Sequence, residues 1–201
     1  MIYLHGFNSS PASHKAQQFA DYFRAHGVCD VLVPVLSHNP ALALQTIEDC
    51  VGERTENVAL LVGSSLGGYY ATYFVERHGM KAALINPAVA PCDHLPGEII
   101  GQHRNQYTHE EYEFTLEHVA FLRTLAVKEI RDPSRYLLLV QTGDTTLDYR
   151  LAVQLYAGCE QVVQEGGSHS FENFAAMLPR ILRFAGCGSQ PQHLSDKARV
   201  H

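Results

Sequence analysis

The residues with the clearest chemical promise stand in a row: Gly63-Ser64-Ser65-Leu66-Gly67, a G-x-S-x-G string. A serine hydroxyl becomes a nucleophile when a base takes its proton and an acid orients that base. In hydrolases that use this string, the serine sits on a sharp strand-to-helix turn, and the three groups follow in the order serine, acid, histidine. His169, within Gly166-Gly167-Ser168-His169-Ser170, is the one histidine of twelve at a late strand-to-helix junction. The glycines before it let that loop fold back toward the serine. The acid belongs after the preceding strand, where Gln141-Thr142-Gly143-Asp144-Thr145-Thr146-Leu147-Asp148 offers two carboxylates. Asp144 follows the strand end directly and is the better placed. Asp148 lies a turn further on and suits the cap of the next helix.

Acyl transfer also needs two N–H donors for the oxyanion. Leu66, first residue of the helix after Ser65, supplies one. The second is expected from Phe7, in the turn His5-Gly6-Phe7-Asn8 after the first strand. His5 precedes that turn and is expected to fix it by hydrogen bonds rather than to act as base or ligand.

These groups must hang on a scaffold, and the apolar pattern describes one. Short apolar runs alternate with helical spacing, which reads as a mostly parallel sheet flanked by helices. Expected strands are Ile2 to Leu4, Val31 to Val33, Val58 to Val62, Ala82 to Ile85, Tyr136 to Val140 and Gln161 to Val163. Expected helices start at Ser10-Pro11 and Asn39-Pro40, run from Leu66 to His78 and from Tyr149 to Tyr156, and close the fold from Phe171 to Phe184. Residues 87–131 break the alternation and carry one helical portion around Glu110 to Leu125; they read as a small helical cap or lid. A single domain over 1–186 is expected, with 187–201 as a polar, flexible tail.

The composition excludes several alternatives. The chain has 201 residues, 46% hydrophobic, with a formal net charge of −6, so nucleic acid is not an expected partner. No apolar run approaches the roughly 18 residues of a membrane span. No amino-terminal leader pattern is visible, so the cytoplasm is the expected location. The five cysteines, Cys29, Cys50, Cys92, Cys159 and Cys187, form no CxxC pair and read as incidental or buried thiols. The cap histidines His94, His103, His109 and His118 lack metal-ligand spacing, there is no HExxH, and no phosphate-loop lysine follows Gly68. No cofactor and no metal are expected.

The opening segment Ile2-Tyr3-Leu4-His5-Gly6-Phe7-Asn8-Ser9-Ser10-Pro11 with Ser13-His14-Lys15-Ala16 resembles that of bacterial YqiA-type esterases. So do Gly63 to Thr72, Asn86-Pro87-Ala88, Thr142-Gly143-Asp144 with Leu147-Asp148-Tyr149-Arg150, and Gly166 to His169. The similarity spans about residues 1–185. It implies a small α/β-hydrolase whose triad falls on Ser65, Asp144 and His169. It further implies esterase activity on acyl esters, with acyl thioesters such as acyl-CoA as a second class. Thr145 departs from the acidic residue that the family favours there. The rivals to a serine carboxylesterase are a non-catalytic α/β-hydrolase-like ligand-binding protein and a triad-bearing lyase.

Overall fold

The computed structural model describes residues 1–27, 30–52, 58–94 and 99–186; the expected tail and Cys29 and Cys187 lie outside them. Five strands build the main sheet: β1 (Ile2–Leu4), β2 (Leu61–Ser64), β3 (Ala82–Ile85), β6 (Tyr136–Gln141) and β7 (Glu160–Gln164). Their spatial order is β1-β2-β3-β6-β7, and every neighbouring pair is parallel. Alternate residues point to opposite faces of a strand, and here both faces are covered. Ile2, Leu4, Leu61, Leu84 and Leu138 join one core cluster with helices α2 (Pro40–Val51) and α3 (Leu66–His78). Tyr3, Val62, Ala83, Ile85 and Leu139 join a second with α1 (His14–His26) and the carboxyl-terminal α7 (Leu178–Phe184). Near-continuous apolar strands follow from that double burial. Among the described residues no helix is long and apolar enough to cross a membrane.

Helix α3 and strand β3 have the expected bounds. Gly79 ends α3 in a left-handed cap, φ 70°, and the Asn39 side chain caps α2 through the Ala41 and Leu42 amides. Elsewhere the structure departs from expectation. Helix α1 starts at His14 because Ser10 closes a turn first: its Oγ accepts from Ala12 N at 3.0 Å and its carbonyl from Ser13 N at 3.0 Å. The expected strand 31–33 shrinks to a single bridge between Ile2 and Leu32. Pro34, which has no N–H to give a ladder, follows at once. The closing helix is broken: Phe171 and Asn173 have φ of 58° and 56°, residues 174–177 form a 3-10 turn, and α7 begins only at Leu178 with Pro179 in its first turn.

The segment between β3 and β6 carries more than a helix. After the short α4 (Pro91–His94) come two antiparallel strands, β4 (Gly101–Arg104) and β5 (Glu111–Phe114), and then α5 (Leu116–Thr124). The helical portion around Glu110 to Leu125 is therefore corrected at its front. Glu111 to Phe114 bury every second residue, Tyr112 and Phe114. Thr115 then starts α5 in a capping box with His118. One further helix, α6 (Tyr149–Leu155), joins β6 to β7.

The described cysteines Cys50, Cys92 and Cys159 are free thiols. Burial pushes the Cys159 thiol up to about 11, which leaves it un-ionised and inert near neutral pH.

Candidate active site

Parallel sheets of this kind place their sites at the carboxyl ends of the strands. Strand β2 ends at Ser64, and Ser65 turns the chain into α3 with φ 54° and ψ −122°. Such a backbone costs a non-glycine residue on the order of 1–3 kcal/mol and persists only when its surroundings over-determine it. They do so here: Ser65 N donates to Ile85 O at 3.0 Å, and Ser65 O accepts from Gly68 N at 2.9 Å and Ala88 N at 3.0 Å. The flanking glycines are needed for close approach. A Cβ on Gly67 would collide with the Leu4 carbonyl, and one on Gly63 would lie 2.6 Å from the Gly68 Cα.

The structure brings the other two expected residues to this serine. His169 Nε2 lies 3.1 Å from Ser65 Oγ, and His169 Nδ1 lies 2.7 Å from Asp144 Oδ2. An ionised carboxylate only accepts, so Nδ1 carries the proton and Nε2 is the free lone pair facing the hydroxyl. The second Asp144 oxygen accepts from the amides of Thr146 (2.8 Å) and Leu147 (2.9 Å). Burial pushes the Asp144 carboxyl up, but the hydrogen bond from His169 and these amides outweigh it and hold it below the ordinary range. Asp148 instead caps α6 through Arg150 N at 3.0 Å, and takes no part in the cluster.

The residues expected to donate to an oxyanion lie on the two segments next to the serine. Leu66 heads α3, where the first amides have no intrahelical acceptor. Gly6 approaches so closely that a Cβ on it would lie 3.0 Å from Ser65 Cβ and 3.6 Å from Oγ, and the following Phe7 lines the same cleft as Ser65. His5 is buried; its Nε2 accepts from Leu36 N at 3.1 Å and its Nδ1 donates to Gly6 O at 3.0 Å. It thus fixes the loop in a neutral tautomer, and burial pulls its pKa down.

Two further residues hold the histidine loop, and sequence reasoning assigned neither a role. The Asn86 side chain donates to Ser168 O (3.0 Å) and His169 O (3.2 Å) and accepts from Gln141 N (3.0 Å). Gln141 Oε1 accepts from Ser168 N (3.1 Å) and Glu172 N (2.8 Å), while its Nε2 donates to Glu172 O and Gln164 Oε1. Both are buried polar residues at strand ends, 2% and 3% exposed, where an amide side chain must find partners. A polar residue ending an otherwise apolar strand was the available signal.

A cleft of about 280 Å³ opens onto Ser65 and His169, walled by the Gly6–Ser9 loop, the start of α1 and Gln106-Tyr107. The β4–β5 hairpin bears on that loop at three successive residues. His103, Tyr112 and Phe114 each meet the Phe7 ring edge-on, with centroids 5.0, 6.1 and 5.3 Å away. Tyr112 Oη donates to Asn8 Oδ1 at 3.4 Å, and Asn105 Nδ2 donates to Ser9 O at 2.9 Å. Among the described residues no group of three or more His, Cys, Asp or Glu side chains is disposed to hold a metal ion.

Comparison with known proteins agrees with this architecture. The family described as "Uncharacterised protein family (UPF0227)" matches residues 1–186. A UPF0227 protein of Serratia proteamaculans is 28% identical over 191 residues, covering 92% of this chain and 97% of its own. YcfP of Escherichia coli O9:H4 is 27% identical over 202 residues, covering 94% and 99%. Among solved structures, Est1E from Butyrivibrio proteoclasticus superposes with a TM-score of 0.64 at 18% identity, over 92% of this chain and 87% of its own. Mouse alpha/beta hydrolase domain-containing protein 10 gives 0.66 at 14% identity over 90% and 88%. A monoacylglycerol lipase of Paleococcus ferrophilus gives 0.61 at 15% identity over 93% and 94%. The likeness to these structures establishes the α/β-hydrolase fold.

Proposed function

The chain belongs to the UPF0227 family, and on that premise we propose that it is a serine carboxylesterase acting through an acyl-enzyme on Ser65. The observation that carries this reading is the unbroken relay Asp144–His169–Ser65, at 2.7 and 3.1 Å, ending on a strained serine that faces an open cleft. Structural neighbours named as an esterase and a lipase support the same reaction class.

In the first step Ser65 Oγ attacks the ester carbonyl carbon while its proton passes to His169 Nε2. Asp144 holds the imidazole in the tautomer that can accept it and stabilises the imidazolium that results. The carbonyl oxygen becomes an oxyanion and takes hydrogen bonds from the amides of Phe7 and Leu66, each such donor being worth roughly a hundredfold or more in turnover. The intermediate collapses, the C–O bond breaks, and the leaving alcohol takes the proton from His169. Water, deprotonated by the same nitrogen, then attacks the acyl carbon; the bond to Ser65 Oγ breaks, Oγ takes the proton back from His169, and the acid leaves. A thioester would follow the same course with a thiol leaving.

The cleft lies near the lower bound of small-molecule sites, which run from about 300 to 1,000 Å³, so a short-chain ester is the probe of choice. Turnover of 4-nitrophenyl butyrate tests the reading: Ser65→Ala should abolish it, and a fluorophosphonate should label Ser65 in the native protein. Full activity in the variant would refute the mechanism. A native protein that takes no label would instead be a ligand-binding relative. A substrate consumed without a trappable acyl-Ser65 would point to a lyase.

A further inference from the structure

The far wall of the cleft is the amino end of α1. Ser13, His14 and Lys15 line the same cavity as Ser65 and His169. Three features of that wall are unusual for a helix start. Ser13 occupies the N-cap but makes no capping hydrogen bond, and it is 9% exposed with no side-chain partner among the described residues. The amides of the first turn are therefore open. Acidic residues favour a helix start, yet this first turn has none and carries a lysine, which opposes the helix dipole. Lys15 Nζ donates to a neutral acceptor, Ser170 O at 2.9 Å, next to His169, and pairs with no carboxylate among the described residues. Burial pulls the Lys15 pKa down, with the Asp144 carboxylate, further off, acting the other way.

The charge around the cleft points the same way. The chain has 21 acidic residues against 15 Lys and Arg, yet neither aspartate nor glutamate lines this cavity, whereas Lys15 does. A local cost in helix and charge complementarity, concentrated at one wall of a site, marks a place shaped for a ligand. We propose that the amino end of α1 is an anion subsite, in which the Ser13 hydroxyl, the Lys15 ammonium and the first-turn amides bind a carboxylate or phosphate carried by the ester substrate. The proposal rests on the hydrolase reading and narrows its substrate to anionic esters. Helix amides, a hydroxyl and a cation together form a general oxyanion-binding set.

The test compares mono-4-nitrophenyl glutarate with its neutral methyl ester. The native protein should favour the anionic ester in kcat/KM by about tenfold or more, the worth of one hydrogen bond to a charged group. Lys15→Met should reduce that ratio at least fivefold, while Lys15→Arg retains it. A ratio unchanged in Lys15→Met overturns the proposal. Should that variant fail to fold, Ser13→Ala must lower the ratio, and an unchanged ratio there overturns it as well. Thermal melting in inorganic phosphate or glutarate, against chloride at matched ionic strength, needs no turnover. Either anion should raise Tm in the native protein and not in Lys15→Met, and the more effective one identifies the group. If neither ester is hydrolysed but the anions still stabilise in a Lys15-dependent way, the esterase reading falls and the subsite stands. If the methyl ester is hydrolysed through Ser65 and neither anion nor ratio responds to Lys15, the subsite falls alone.

Discussion

Asn86→Ala is the sharpest probe of how the histidine is held. Asn86 is 2% exposed and makes three side-chain hydrogen bonds: to Ser168 O, to His169 O and from Gln141 N. Truncation leaves the buried Gln141 amide without an acceptor, which costs about 1–3 kcal/mol. The residue also sits at φ 39°, a region asparagine tolerates and alanine does not, adding about 1 kcal/mol. The expected loss is thus about 2–4 kcal/mol, or about 4–16 °C in Tm for a domain of this size. Turnover should suffer separately, because the carbonyl of His169 loses its anchor and a shift of about 1 Å at a reacting group costs on the order of a hundredfold. Urea denaturation gives the first quantity, and 4-nitrophenyl butyrate kinetics below the transition give the second. Asn86→Asp separates them: it keeps an acceptor for Gln141 N and tolerates the backbone, but sets an oxygen against two carbonyls, so kcat should fall more than stability. If Asn86→Ala lost neither stability nor kcat, the assignment of Asn86 as the brace of the histidine loop would be refuted.

Three other outcomes follow from the same geometry. Asp144→Asn should lower kcat by about a thousandfold or more by presenting the wrong histidine tautomer. Because the Asp144 pKa is depressed in the fold, its stabilising contribution is present above the unfolded carboxylate value near about 3.9 and is lost as pH falls through the folded one; melting against pH should show that acid loss in the native protein and not in Asp144→Asn. Tyr112→Ala, which removes a ring stacked 4.3 Å from His38 and edge-on to Phe7, should cost about 3–5 kcal/mol and lower kcat more than it raises KM; unchanged kcat would separate the hairpin from the oxyanion loop. Gly67→Ala sets a methyl against the Leu4 and His5 carbonyls, so a loss at or above about 3 kcal/mol is expected, read by chemical denaturation.

What was legible in the chain were features that one stretch specifies by itself. Asn39 caps its own helix, Gly79 stops its own, and the glycines at 63 and 67 announce a tight turn whichever residues lie nearby. Ser65, Asp144 and His169 were readable because each follows the end of a strand, at a glycine-bearing turn. The hairpin escaped because β5 holds only four residues, too few to outweigh the helical spacing that runs on from Thr115. The closing helix was broken by left-handed residues at Phe171 and Asn173, a conformation neither side chain demands. Asn86 and Gln141 escaped for a different reason: their partners lie 23 to 83 residues away, and nothing local states what a buried amide will meet.

The parts of the site come from widely separated stretches of the chain. Ser65 is held by Ile85 and Ala88, all within the first 88 residues. Its base is 104 residues further on and depends on β6 pairing with β3 across the whole intervening cap. A chain that ends before His169 therefore lacks the base proposed for Ser65. The chemistry proposed for Ser65 thus draws on a residue beyond the last strand of the sheet.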